Sequence, residues 1–116
     1  MAMDVEAKTK WLEALRSGKY TQGKSGLHNI PNDTFCCLGV LCDVQGVYRG
    51  EPKDPGSHWN DYVFRMGEDQ KDYRSNSDVP DGFCNLTGDD IWYLAGLNDS
   101  HDKTFPEIAD YIEDNL

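Results

Sequence analysis

Cations are scarce in this 116-residue chain. Eleven Lys and Arg stand against twenty-one Asp and Glu, for a net charge of −10. An acidic surface of this kind repels polyphosphate backbones, so nucleic acid is not an expected partner. Long hydrophobic runs are also missing. The longest apolar stretch, Phe35 to Cys42, is far too short to span a bilayer, which leaves no membrane partner to expect. The opening MAMDVEAKTKW has no apolar h-region, so no secretory signal is expected and the chain is read as cytoplasmic. Thiols in that compartment stay reduced. There are only four cysteines (Cys36, Cys37, Cys42, Cys84) and no C-x-x-C pair, the usual mark of a structural zinc site.

Apolar residues make up 38% of the chain, with three Trp, six Tyr and four Phe. That is enough for one modest core, and the length fits a single domain over residues 1–116. The charge is uneven. Between Lys8 and His28 five cations meet one anion, Glu13, so this segment is +4 and the remainder −14.

Periodicity marks the helices. Over residues 4–17, Ala7, Trp11, Ala14 and Leu15, joined by Leu12, recur at helical spacing, and Gly18 stands where a left-handed cap belongs. Residues 19–34 are rich in turn formers, with a short strand expected from Gly26 to Ile30. Thr34 would then cap a helix beginning near Phe35, with Phe35, Leu38, Leu41 and Cys42 on one face and Gly46 ending it; a buried strand across Phe35 to Leu41 is the competing reading. Residues 47–86 read as an irregular middle excursion pinned by HWNDYVFRM, as a short strand or one helical turn. Thr87 to Asp90 is a capping-box-like start for a helix whose expected C-cap is Asn98. Thr104-Phe105-Pro106-Glu107 is a second box, and Phe105, Ile108, Ala109, Ile112 and Leu116 follow it on one face. The expected fold is α+β and mainly helical, with three to four helices around the FCCLGVLC segment and a small hairpin or sheet near residues 20–34.

Gly18 to Ser25, GKYTQGKS, spells G-x-x-x-x-G-K-[ST]. A phosphate-binding loop of that type needs a strand before it and a helix starting at the Lys-Ser. Here a helix leads in, and Gly26 and Pro31 follow, so nucleotide hydrolysis is not expected. Two readings of the loop remain: a solvated basic loop, or an anion site built from backbone amides and charge. In the second, Arg16, Lys19, Tyr20, Gly23, Lys24, Ser25 and His28 would hold a phosphate-bearing small molecule, with Tyr20 stacking on a base. The cysteines read as buried small hydrophobes. A zinc site using Cys84 with His28 or His58 is the alternative, and a catalytic thiol a third reading. No metal, cofactor or catalytic residue is nominated. Asn98 to Asp102, NDSHD, reads as a capped turn between helices, with cation ligation or acid–base work as the alternatives. Trp92 and Tyr93 are adjacent on a helix, so at least one faces outward, towards a partner.

Three segments carry a resemblance: WLEALRSGKYTQGKSGL (Trp11 to Leu27), FCCLGVLCD (Phe35 to Asp43), and LND followed by TFPEIADYIE (Leu97 to Glu113). They resemble a group of small uncharacterised proteins encoded by bacteriophages and prophages. Members of that group often read G-K-G where this chain has Gly23-Lys24-Ser25, which makes the match to the phosphate-loop pattern look accidental. The resemblance covers both ends of the chain and leaves the middle unmatched. It implies a non-catalytic accessory protein of the bacterial host cytoplasm that counters host defence by binding, by sequestering a phosphate-bearing signalling nucleotide. The alternative is inhibition of a host enzyme or defence protein through the acidic face, and a small thiol or hydrolytic enzyme comes third. A homo-oligomer is compatible with each.

Overall fold

A computed structural model of the chain describes residues 3–52, 54, 56–66 and 71–116. Helix α1 (Val5–Arg16) forms as its periodicity dictates, burying Ala7, Trp11 and Leu15. It stops where Gly18 takes a φ of +76°, a conformation costly for any residue with a Cβ. The Trp11 indole reaches across to donate a 2.8 Å hydrogen bond to the Cys37 carbonyl. That bond ties α1 to the start of helix α2 (Cys37–Val44), in which every residue from Cys37 to Cys42 is buried.

Helix α2 begins two residues later than Thr34 capping predicts. Thr34 and Phe35 form strand β3 (Thr34–Phe35). It lies between β1 (Thr21–Gln22), which it pairs in parallel, and β2 (His28–Asn29), which it pairs in antiparallel fashion. These non-local pairings override the local cap. Cys36 caps the helix instead, its Sγ accepting from the Gly39 amide at 3.4 Å. Gly39 lies directly against the Leu27 carbonyl, and a Cβ there would meet that oxygen.

The middle of the chain holds a second sheet, more order than the expected excursion. Strands β4 (Tyr48–Gly50), β5 (Asp61–Met66) and β6 (Lys71–Ser75) make an antiparallel meander in the order β4-β5-β6. Tyr62 and Phe64 point into the core, while Val63 and Arg65 alternate outward, the period of a half-buried strand. Of the breaker-rich stretches 50–57 and 67–82, residues 53, 55 and 67–70 lie outside the described residues, as do the side chains of Met66 and Lys71. The two sheets meet where the Ile30 amide donates to His58 O at 2.7 Å and the Asn60 amide donates to His28 O at 3.2 Å. A short 3-10 turn (Phe83–Asn85) leads to helices α3 (Gly88–Asp99) and α4 (Phe105–Asn115). Both start on complete capping boxes, Thr87 with Asp90 and Thr104 with Glu107. The fold is therefore α+β: four helices of 12, 8, 12 and 11 residues and two small three-stranded sheets. Among the described residues no helix is long and apolar enough to cross a membrane.

Helix α3 runs past Asn98 to Asp99, and Ser100 is its C-cap. Asn98 is thus not the expected cap but a fully buried residue with four hydrogen bonds. Its Oδ1 accepts from Gln22 Nε2 (2.9 Å) and from the Cys37 amide (3.2 Å). Its Nδ2 donates to Gly23 O (2.8 Å) and to Asp99 Oδ1 (2.9 Å). Gln22 carries the network on, donating to Lys103 O (2.7 Å) and accepting from the Phe105 amide (3.0 Å). Replacing Asn98 with Ala would leave the Cys37 amide and the Gly23 carbonyl without this partner and take one of the two acceptors of Gln22 Nε2. We expect Asn98→Ala to cost about 3 kcal/mol in urea unfolding, well above an ordinary surface substitution.

Candidate functional site

The loop from Gly18 to His28 is a basic segment by sequence, but the fold brings carboxylates to Lys24 within it and to Arg16 just before it. Arg16, at the end of α1, pairs with Asp110 (2.8 Å) and Glu113 (3.2 Å) on α4. The hydrogen bonds it donates to Glu113 and Asp110 hold its guanidinium above the usual arginine range. Lys24 Nζ pairs with Asp102, in the turn between α3 and α4. The Ser25 amide, where φ is +73°, donates to Asp99 Oδ1 at 3.1 Å. Asp99 and Asp102 thereby stand where phosphate oxygens would sit against a Gly-Lys-Ser loop. Gly23 is likewise occupied, its amide bonded to Phe35 O at 2.7 Å and its carbonyl to Asn98.

Tyr20 packs edge-on against Phe35, with centroids 5.1 Å apart, and its hydroxyl donates to Asp43. Burial, aided by that carboxylate, pushes its pKa up to about 12. His28 is buried against Phe35, with one ring nitrogen on Asn60 Oδ1 and the other 2.8 Å from Asp33 Oδ1. Lys19 lies elsewhere, in a shallow cleft of about 340 Å³ that it shares with Lys10, Glu13, Ser17, Tyr20 and Val44. So Lys19 and Tyr20 share one opening, while Gly23 and Lys24 line another with Asn98 and Asp102. Arg16 and His28 line neither. The seven residues do not converge on one pocket.

The cysteines are placed for packing. Cys36, Cys37 and Cys42 are buried and Cys84 is half-buried. Burial pushes the Cys36 thiol up to about 12 and Cys84 to about 11, and it raises Cys37 and Cys42 well above the thiol range. Thiols so shifted stay protonated at neutral pH and are poor nucleophiles. Among the described residues no group of three His, Cys, Asp or Glu side chains is arranged to hold a metal ion.

A different surface combines aromatic area, concavity and charge. Trp92 on α3 is 79% exposed, and Tyr93 beside it and Tyr73 on β6 are each 45% exposed. Trp92 and Tyr73 border a groove of about 410 Å³, floored by Val79, Ile91 and Ala95 and edged by Asp78 and Asp81. On the other side of α3, Tyr93 stacks on Tyr111 of α4 at 4.9 Å. Helix geometry explains the display. Ile91, Leu94, Leu97 and Asn98 turn inward at helical spacing, which leaves Trp92 and Tyr93 on the outer side. The adjacency of the two aromatics was the only sequence signal for this surface; the groove itself joins β6, residues 78–81 and α3.

A family model described as "Domain of unknown function (DUF8296)" matches residues 3–116, and the chain belongs to that family. No curated protein and no solved structure matches the chain.

Two outcomes follow from the site chemistry. Lys24 lowers the pKa of Asp102 through a hydrogen bond, and the Thr104 amide does the same to Glu107. A carboxylate whose folded pKa lies below its unfolded value adds stability above the unfolded pKa, about 4, and that stability is lost as pH falls through the folded value. The double variant Asp102→Asn/Glu107→Gln should therefore melt below the wild type at neutral pH, and the gap should close as pH falls towards about 3. In thiol titration with an aromatic disulfide reagent, Cys84 should react first in the native protein, and Cys36, Cys37 and Cys42 only on unfolding.

Proposed function

We propose that the chain is a non-catalytic binding protein that holds another protein against the aromatic face of α3. The observation that carries this reading is Trp92, 79% exposed at the edge of a preformed groove. A folding chain gains by burying an indole, and large exposed aromatics bordering a groove mark interaction surfaces. Trp and Tyr are also the residues that most often dominate binding energy at interfaces. The mainly helical description of the fold belongs to this reading in a limited sense: α3 supplies Trp92 and one side of the groove, while β6 and residues 78–81 supply the other. With the phage resemblance, the partner would be a host enzyme or defence protein, and the outcome its inhibition in the bacterial cytoplasm.

Capture of a phosphate-bearing nucleotide is the second reading. One observation favours it: Lys10 and Lys19 share a cleft with Tyr20, and neither lysine is in an ion pair among the described residues. Against it stand the carboxylates already seated on Lys24 and Ser25.

The two readings separate in one pair of measurements. Trp92→Ala should leave the unfolding curve within about 0.5 kcal/mol of wild type, as expected for an exposed side chain. On the first reading, a protein recovered from host lysate by the wild type is lost with Trp92→Ala and retained with Lys19→Ala. Calorimetry against cyclic and ADP-ribose-type nucleotides should give no heat; heat that disappears with Lys19→Ala would establish the second reading instead.

A further inference from the structure

We infer that the groove beside Trp92 receives an arginine side chain from a basic segment of the partner, stacked on the indole and paired with Asp78 and Asp81. This rests on the α3 face being the binding surface and names the chemistry of its occupant. Among the described residues the groove is lined by two carboxylates and no Lys or Arg. Asp78 and Asp81 are both exposed, and Asp89 stands one turn before Trp92 on the same side of α3. Strand alternation keeps the nearest arginine away: Tyr73 faces the groove, while Arg74 lines a separate cleft with Tyr48, Val63 and Arg65 and pairs with Asp61.

Charge selects among the occupants. A second copy meeting this one face to face would set the same aspartates against each other, on a chain already at −10. Nucleic acid and anionic lipid are repelled by the same field. A basic segment is attracted by it, and the indole face supplies a cation–π site between the carboxylates. Arginine fits better than lysine, because a planar guanidinium stacks on an aromatic ring and still presents its N–H edge to a carboxylate.

The test is calorimetric titration of the full chain with four peptides of equal length, alternating glycine with arginine, lysine, glutamine or glutamate. The arginine peptide should bind most tightly and the glutamate peptide not at all. Trp92→Ala and Asp78→Asn/Asp81→Asn should each weaken the arginine peptide by about fivefold or more. Glu6→Gln/Asp114→Asn removes the same two charges from exposed positions far along the chain, and should weaken it less than about twofold. Equal losses in the two double variants would reduce the effect to net charge and overturn the inference, as would absence of heat with the arginine peptide. If the glutamine peptide binds as tightly as the arginine peptide and is lost with Trp92→Ala, the cationic occupant is wrong and the α3 face stands. If Trp92→Ala changes no peptide, the face falls with it.

Discussion

Burying the start of a helix is the constraint on which this structure depends. Helix α2 is so apolar that it must sit inside, but its first turn then carries N–H groups with no water to satisfy them. The Asn98 carboxamide answers this for Cys37, and its remaining three bonds fix what surrounds α2. Through Gln22 and Gly23 it seats β1, and through Gln22 it reaches the start of α4. Trp11 closes the same region from the other side by capping the Cys37 carbonyl. One buried amide thus coordinates four elements that are far apart in sequence. Each of its atoms is matched donor to acceptor, which is what keeps a polar group in a core from becoming a liability.

The same network decides the character of the glycine-rich loop. Because Asn98 pins Gly23 to α3, the loop passes directly under the α3–α4 turn, where Asp99 and Asp102 meet the Ser25 amide and Lys24. Chelation by its own carboxylates turns a segment that looks made for anions into a structural clasp. The exposed pair between Lys24 and Asp102 adds little energy by itself. Its consequence is electrostatic: the +4 segment is screened where it could have faced a phosphate, and Arg16 is absorbed in the same way by α4.

How legible this was depends on the range of the interactions. The helices α1, α3 and α4 declared themselves through period, caps and breakers, which act within a few residues. The start of α2 was misplaced because Thr34 and Phe35 pair with strands on both sides, and no local rule sees that pairing. The meander was hidden for a related reason. Its strands are short, and their alternation, as in Tyr62-Val63-Phe64-Arg65, is interrupted by polar turns. Asn98 was read as a cap because a polar residue near a helix end usually is one; its partners Gln22 and Cys37 lie 76 and 61 residues away. The clasp over the loop spans similar distances, 74 residues for Ser25 with Asp99 and 78 for Lys24 with Asp102. Composition foresaw the charge asymmetry and not the pairing of Arg16 and Lys24 with carboxylates.

The aromatic face follows from the way α3 is held. A helix fixed only by an apolar stripe can roll to bury an exposed indole. Helix α3 is held by directional bonds as well: Asn98 in the core near its C-terminus and the Thr87–Asp90 box at its N-terminus. Rolling it to hide Trp92 would break Asn98 from Cys37, Gln22 and Gly23 and also draw Ile91, Leu94 and Leu97 out of the core, more apolar area than one indole would bury. Trp92 is therefore presented outward on a rigid support, so that docking need not first order the side chain's backbone. Preorganisation of that kind favours binding by lowering the entropy lost on association. The buried amide that closes the core is in this sense also what keeps the aromatic face of α3 exposed.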